Sequence, residues 1–305
     1  MTSKMMAGVL RLRPTVFSLR AMSSIPGSDY TYKALAVSVP RDHVYHVQLN
    51  RPDKLNALNK TLWREIGECF DKLADDPDCR AVVLSAAGKM FSSGIDFNDL
   101  AEIGGIVSSD DDVARKGRAL HKLIIKYQES FTSMEKCPKP VIAAVHSACI
   151  GAGVDLICSA DIRYSSSDAW FQVKEVDVGL AADVGTLQRL PKIIGNQSLV
   201  RELSFSGRKM LASEALECGF VSKIFEDNES LLSGALDMAS TIASKSPVAV
   251  QATKMALVHA RDHPVQEGLD FIRILNMSML QSEDVKIAAM AQMSKGEIKA
   301  TFSKL

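Results

Sequence analysis

The sequence predicts an α/β core followed by a C-terminal region built of helices. Strand-length apolar runs alternate with helical patterns, and small-residue turns join them. From about residue 196 onward, helical spacing covers nearly everything except Gly219–Phe225.

The alternating stretch His43 to Leu49 reads as a strand, closed by the turn Asn50-Arg51-Pro52-Asp53. Leu62, Ile66, Phe70 and Leu73 recur at helical spacing and predict a helix over 60–75. Ala81 to Leu84 is a buried strand leading to the loop Ser92-Ser93-Gly94-Ile95. Leu120, Leu123, Ile124, Tyr127 and Phe131 share one face of a helix over 111–135, and Pro138 and Pro140 end that region. Val141 to Val145 is the next buried strand; a Gly-bearing turn at 149–153 then opens an apolar helix near Val154. Short strands follow at Asp161–Tyr164 and Trp170–Val173.

Composition excludes several classes of function. Lys plus Arg and Asp plus Glu number 36 each, whereas a protein living by phosphate contacts is normally basic. No apolar run reaches the roughly 18 residues of a membrane span. The six cysteines show no CxxC and lie among apolar residues, as reduced core fillers do. The six histidines form no ligand spacing, so no metal is expected.

Both ends read as addresses. Residues 1–30 hold Lys4, Arg11, Arg13 and Arg20 with no acid before Asp29, the composition of a mitochondrial transit peptide or of a merely disordered terminus. Ser303-Lys304-Leu305 matches the signal read by the peroxisomal import receptor. The expected organisation is a targeting segment at 1–30, a core at 31–225, a helical region at 226–302 and a tail at 303–305.

The chemistry concentrates in three acids set among Gly, Ala, Val, Leu and Ile: Asp155, Glu175 and Asp183. A carboxyl group withdrawn from water rises in pKa and can exchange protons near neutrality. Each acid also has a plainer reading. Asp155 could favour a helix dipole, Glu175 could pair with Lys174 on the surface, and Asp183 could cap a helix. The two loops at Ser93-Gly94-Ile95 and Gly151-Ala152-Gly153 could aim backbone N–H groups at one oxygen, or could simply let strand and helix pack closely.

Four segments carry a resemblance: NRPDKLNALN at 50–59, AAGKMFSSGIDFNDL at 86–100, PKPVIAAVHSACIGAGVDL at 138–156 and QRLPKIIGNQSL at 188–199. With them the chain resembles the crotonase (enoyl-CoA hydratase/isomerase) superfamily over roughly 35–280. The resemblance implies a spiral of ββα units with a helical C-terminal trimerisation region, and a trimer or hexamer. It implies an acyl-CoA thioester bound along Ser93, Gly94, Ile95, Asp96 and Phe97, its oxygen held by the N–H groups of Ile95 and Ala152. Ala152 departs from the three glycines usual there, and its methyl could crowd the thioester.

Hydratases of this superfamily carry Glu, Glu and Gly where this chain has Asp155, Glu175 and Asp183. The present pattern resembles the branch that moves the double bonds of 3,5-dienoyl-CoA into 2,4-conjugation during β-oxidation in mitochondria and peroxisomes. That shift takes a proton from C2 and returns one at C6, so two separated carboxyls suit it and it calls for no redox cofactor. Glu175 is then expected at C2, Asp183 at C6, and Asp155 as a tuning group. Hydration or monoene isomerisation on the same fold, and a non-catalytic binding role such as RNA binding, are the competing expectations.

Overall fold

A computed structural model describes residues 29–295 and 297–305, so the address expected at the N-terminus lies almost wholly outside the described residues. The chain opens with the hairpin β1 (Leu35–Arg41) and β2 (Val44–Leu49). Helix α1 (Lys60–Asp75) is capped by the Asn59 side chain, which accepts from Leu62 N–H. It buries Leu62, Trp63, Ile66, Cys69, Phe70 and Leu73. Next come β3 (Ala81–Ala86), α2 (Phe97–Val107) and α3 (Val113–Lys136), then β4 (Val141–Val145), β5 (Ala148–Ile150) and α4 (Ala152–Cys158). β6 (Ile162–Ser166), β7 (Trp170–Gln172), α5 (Thr186–Ile193), α6 (Gln197–Ser206), β8 (Met210–Leu211), α7 (Ala212–Glu217) and β9 (Lys223–Phe225) complete the core. Four helices follow: α8 (Asn228–Ala243), α9 (Pro247–Asp262), α10 (Val265–Met279) and α11 (Glu283–Met293).

The strands form a six-stranded sheet in the order β1-β2-β3-β4-β6-β9, parallel beyond the first hairpin, and a three-stranded sheet in the order β5-β7-β8. Each turn of the chain gives one strand to the large sheet and the next to the small one: β4 then β5, β6 then β7. Between them runs a helix, so the ββα spiral is present. Ser92 pairs with Cys149 as an isolated bridge and adds the preceding turn of the spiral to this layer.

Strand alternation divides the core. Val82 and Leu84 face the larger cluster with α1, α3 and α4, while Ala81 and Val83 face α8. α8 meets them with Leu231, Ala235, Ala239 and Ala243, a small-residue stripe that lets the helix lie close on the sheet.

The short strands β5 and β8 lie where a turn and helix are expected, and two further elements escape sequence reading for physical reasons. β1 is an edge strand containing Pro40, which gives a weak strand signal. α2 contains Gly104 and Gly105, poor helix formers, and relies on Asp96 capping Asn98 N–H. All six cysteines are free; five are buried and Cys218 is half-buried. Among the described residues no helix is long and apolar enough to cross a membrane.

Candidate active site

The site forms where two strand-to-helix loops meet. The first loop is clipped on both sides. Ser92 N–H donates to the Ala148 carbonyl at 3.1 Å, and Ile150 N–H returns a bond to the Ser92 carbonyl at 3.0 Å. Leu58 N–H donates to Gly94 O at 2.8 Å and Asp96 N–H to Leu58 O at 2.9 Å. Gly94 adopts φ +92°, and a Cβ there would lie 3.0 Å from the Ile150 carbonyl oxygen and 3.8 Å from Ala152 N. Only glycine lets the two backbones approach this closely.

The N–H groups of Ile95 and Ala152 are therefore neighbours, and neither has an acceptor among the described residues. Two unpaired backbone donors at one place are an oxyanion hole in waiting. Ala152 is accommodated because the unusual backbone angle of this turn falls on Gly151, at φ +51° and ψ −121°, and not on Ala152, the first residue of α4.

Glu175 enters beside that hole. Its Oε1 would sit 3.2 Å from a Cβ on Gly151, and its Oε2 is buried without a hydrogen-bond partner. Lys174 pairs with Asp177 instead, so a surface ion pair for Glu175 is not what the structure holds. Burial first, and the Asp155 charge second, push Glu175 up to about 7. Asp155 is 1% exposed, and its Oδ1 accepts the Thr186 backbone N–H at 2.5 Å. Burial raises its pKa as well, opposed by that hydrogen bonding.

Asp183 differs from the expectation that these acids leave water: as a residue it is exposed. It lies in an irregular segment between the buried residues Ala182 and Val184. Protein crowding still raises its pKa. Asp183 does not cap α5, whose N-cap is Gly185. Its charge is felt at both Asp155 and Glu175, so the three carboxyls share one electrostatic neighbourhood.

The other expected binding residues divide. Ser93 N–H is tied to the Leu55 carbonyl at 3.0 Å. The Asp96 carboxylate is engaged by Arg51 at 3.1 Å and by Asn98 N–H. Phe97 is 84% exposed on the first turn of α2. Sequence reasoning assigned no role to Arg51 or Asn56, although both lie in the 50–59 segment. Asn56 is fully buried and donates to the Ala87 and Met90 carbonyls at 2.7 and 3.0 Å, which holds the first loop in place.

Comparison with known proteins adds a family. The enoyl-CoA hydratase/isomerase family model matches residues 41–301. The chain belongs to the enoyl-CoA hydratase/isomerase family. Within it, the chain is 58% identical over 280 residues to a mouse protein named Delta(3,5)-Delta(2,4)-dienoyl-CoA isomerase, mitochondrial; the match covers 91% of this chain and 85% of that one. A peroxisomal protein of the same name from Arabidopsis thaliana is 45% identical, covering 86% and 93%. Among solved structures, an enoyl-CoA hydratase from Bacillus anthracis superposes with a TM-score of 0.79 at 24% identity, over 89% of this chain and 99% of that one. That last likeness places the enoyl-CoA hydratase/isomerase fold alone.

Proposed function

We propose that this enzyme converts 3,5-dienoyl-CoA into 2,4-dienoyl-CoA. The observation that carries the reading is Glu175, a carboxyl of raised pKa with an unpartnered oxygen, held against Gly151 next to two free N–H donors. The relatives named dienoyl-CoA isomerases support the choice of substrate.

As a carboxylate, Glu175 takes a proton from C2. The C2–H electrons form C2=C3, the former C3=C4 pair becomes C4=C5, and the former C5=C6 pair takes up a proton at C6 from Asp183. Charge that gathers on the thioester oxygen between the two transfers rests on the Ile95 and Ala152 N–H groups. Each turnover leaves Glu175 protonated and Asp183 ionised. The exposure of Asp183 gives its proton a route back from water. Asp155, bound to the Thr186 N–H, orients the pair and carries no proton to substrate.

The reading extends to organisation, with a core at 31–225 and a helical region at 226–302 that joins copies of the chain. α10 has no buried residue, and Val265, Leu269, Ile274 and Met277 on it are all more than half exposed. Between α9, α10 and α11 lies an apolar cavity of about 850 Å³. Surfaces of this kind are covered in assemblies. The two addresses fit relatives named mitochondrial and peroxisomal, with Ser303-Lys304-Leu305 offered to the import receptor.

The test is a paired assay on purified protein. The expected result is formation of conjugated 2,4-dienoyl-CoA from the 3,5-dienoyl thioester, well above any hydration of a 2-enoyl-CoA. Faster hydration than isomerisation would overturn the reading.

A further inference from the structure

The segment from Asp183 to Thr186 is held at three points by three different elements. Gln128 Nε2, from α3, donates to the Asp183 carbonyl at 2.7 Å. Arg189, from α5, directs Nη1 at the Val184 carbonyl at 3.5 Å, and its guanidinium lies directly against Cα of Gly185. Asp155, from α4, takes the Thr186 N–H.

Arg189 is itself fixed. Its Nε donates to Glu135 Oε2 at 2.8 Å and its Nη2 to Thr132 Oγ1 at 3.1 Å, both on α3. Glu135 also receives Arg261 of α9 at 2.5 Å. The side chains of Arg189 and Glu135 are about nine-tenths buried, so the pair is no mobile surface contact. Although burial alone would raise it, hydrogen bonds from Arg261 and Arg189 hold Glu135 below its ordinary pKa. The acid between the two arginines is therefore charged and the network stays locked at neutral pH.

We propose that Arg189 is a positioning residue for the reaction: locked by Glu135, its guanidinium sets where the backbone around Asp183 stands relative to Asp155. The inference rests on the proposed isomerase reading for what Asp183 does with its proton. Arg189 has a second, electrostatic effect. Asp155 is surrounded by Asp183, Glu175 and the thiols of Cys149 and Cys158, and Arg189 is the cation whose field opposes the rise in its pKa. Position and charge can be separated by substitution, because Lys keeps the charge but not the planar two-partner geometry.

The experiment compares full-length R189M, R189K and E135Q with the wild type by steady-state kinetics on 3,5-dienoyl-CoA. It adds a carboxyl carbon NMR titration of each unliganded protein. R189M is expected to lose kcat by roughly 10²-fold while KM moves little, the signature of misplaced reacting groups. Its Asp155 titration moves to higher pH. R189K keeps the wild-type titrations yet recovers only part of kcat, and E135Q lowers kcat in the same direction as R189M. A folded R189M with native kcat and native titrations would overturn the proposal. If R189M does not fold, wild-type kcat in both R189K and E135Q would overturn it equally. Should the wild type fail to turn over 3,5-dienoyl-CoA, the isomerase reading falls. The NMR titrations still decide whether Arg189 acts on Asp155.

Discussion

The Oδ1 of Asp155 accepts the backbone N–H of Thr186 at 2.5 Å, which ties the helix behind the second loop to the segment that carries Asp183. A buried carboxylate here is both a clamp and a charge, and the two roles separate by mutation. Asp155→Asn keeps an oxygen for Thr186 but removes the charge that helps to raise Glu175. The acid limb of the kcat/KM profile should therefore move down by roughly one pH unit. A pH–rate series checks it; Asp155→Ala, which removes clamp and charge together, should lower kcat by about 10²-fold as well.

Glu175 trades stability for reactivity. Its pKa is about 7 in the fold against an ordinary 4.5. Between those values the native state binds more protons than the unfolded chain, so stability falls as pH rises through that window. Glu175→Gln removes the cost. It should stabilise the protein at pH 8 by on the order of 1–3 kcal/mol and bring no gain near pH 4, while isomerisation drops at least about 10²-fold. Thermal melts at the two pH values read the sign directly.

Gly94 brings together the two loops of the proposed oxyanion hole. A methyl there meets the Ile150 carbonyl at 3.0 Å in a conformation that L side chains rarely adopt. Gly94→Ala should cost about 1–3 kcal/mol in stability and, by moving Ile95 N–H, about 10²-fold in kcat/KM. Urea unfolding with steady-state kinetics on one preparation tests both.

Much of this was legible in the chain. Fully buried parallel strands such as Ala81 to Leu84 and Val141 to Val145 announce themselves as uninterrupted apolar runs, and the α1 stripe has a clean helical period. The small-residue loops and the three acids stood out because their company was wrong for a surface. What stayed hidden depends on distant partners. Arg51 meets Asp96, and Arg189 meets Glu135, across 45 and 54 residues of chain, and no local pattern shows either pairing. The exposure of Asp183 was hidden too, since it depends on how a segment without regular secondary structure lies on the core.

The most direct test of the central claim is isotopic. In D₂O, Asp183→Asn should still exchange the C2 protons of 3,5-dienoyl-CoA, because Glu175 and the oxyanion hole are intact. It should form conjugated product at least about 10²-fold more slowly than wild type, for want of a donor at C6. Product formed at the wild-type rate by Asp183→Asn, with deuterium at C6, would contradict the assignment of the two carboxyls to opposite ends of the diene.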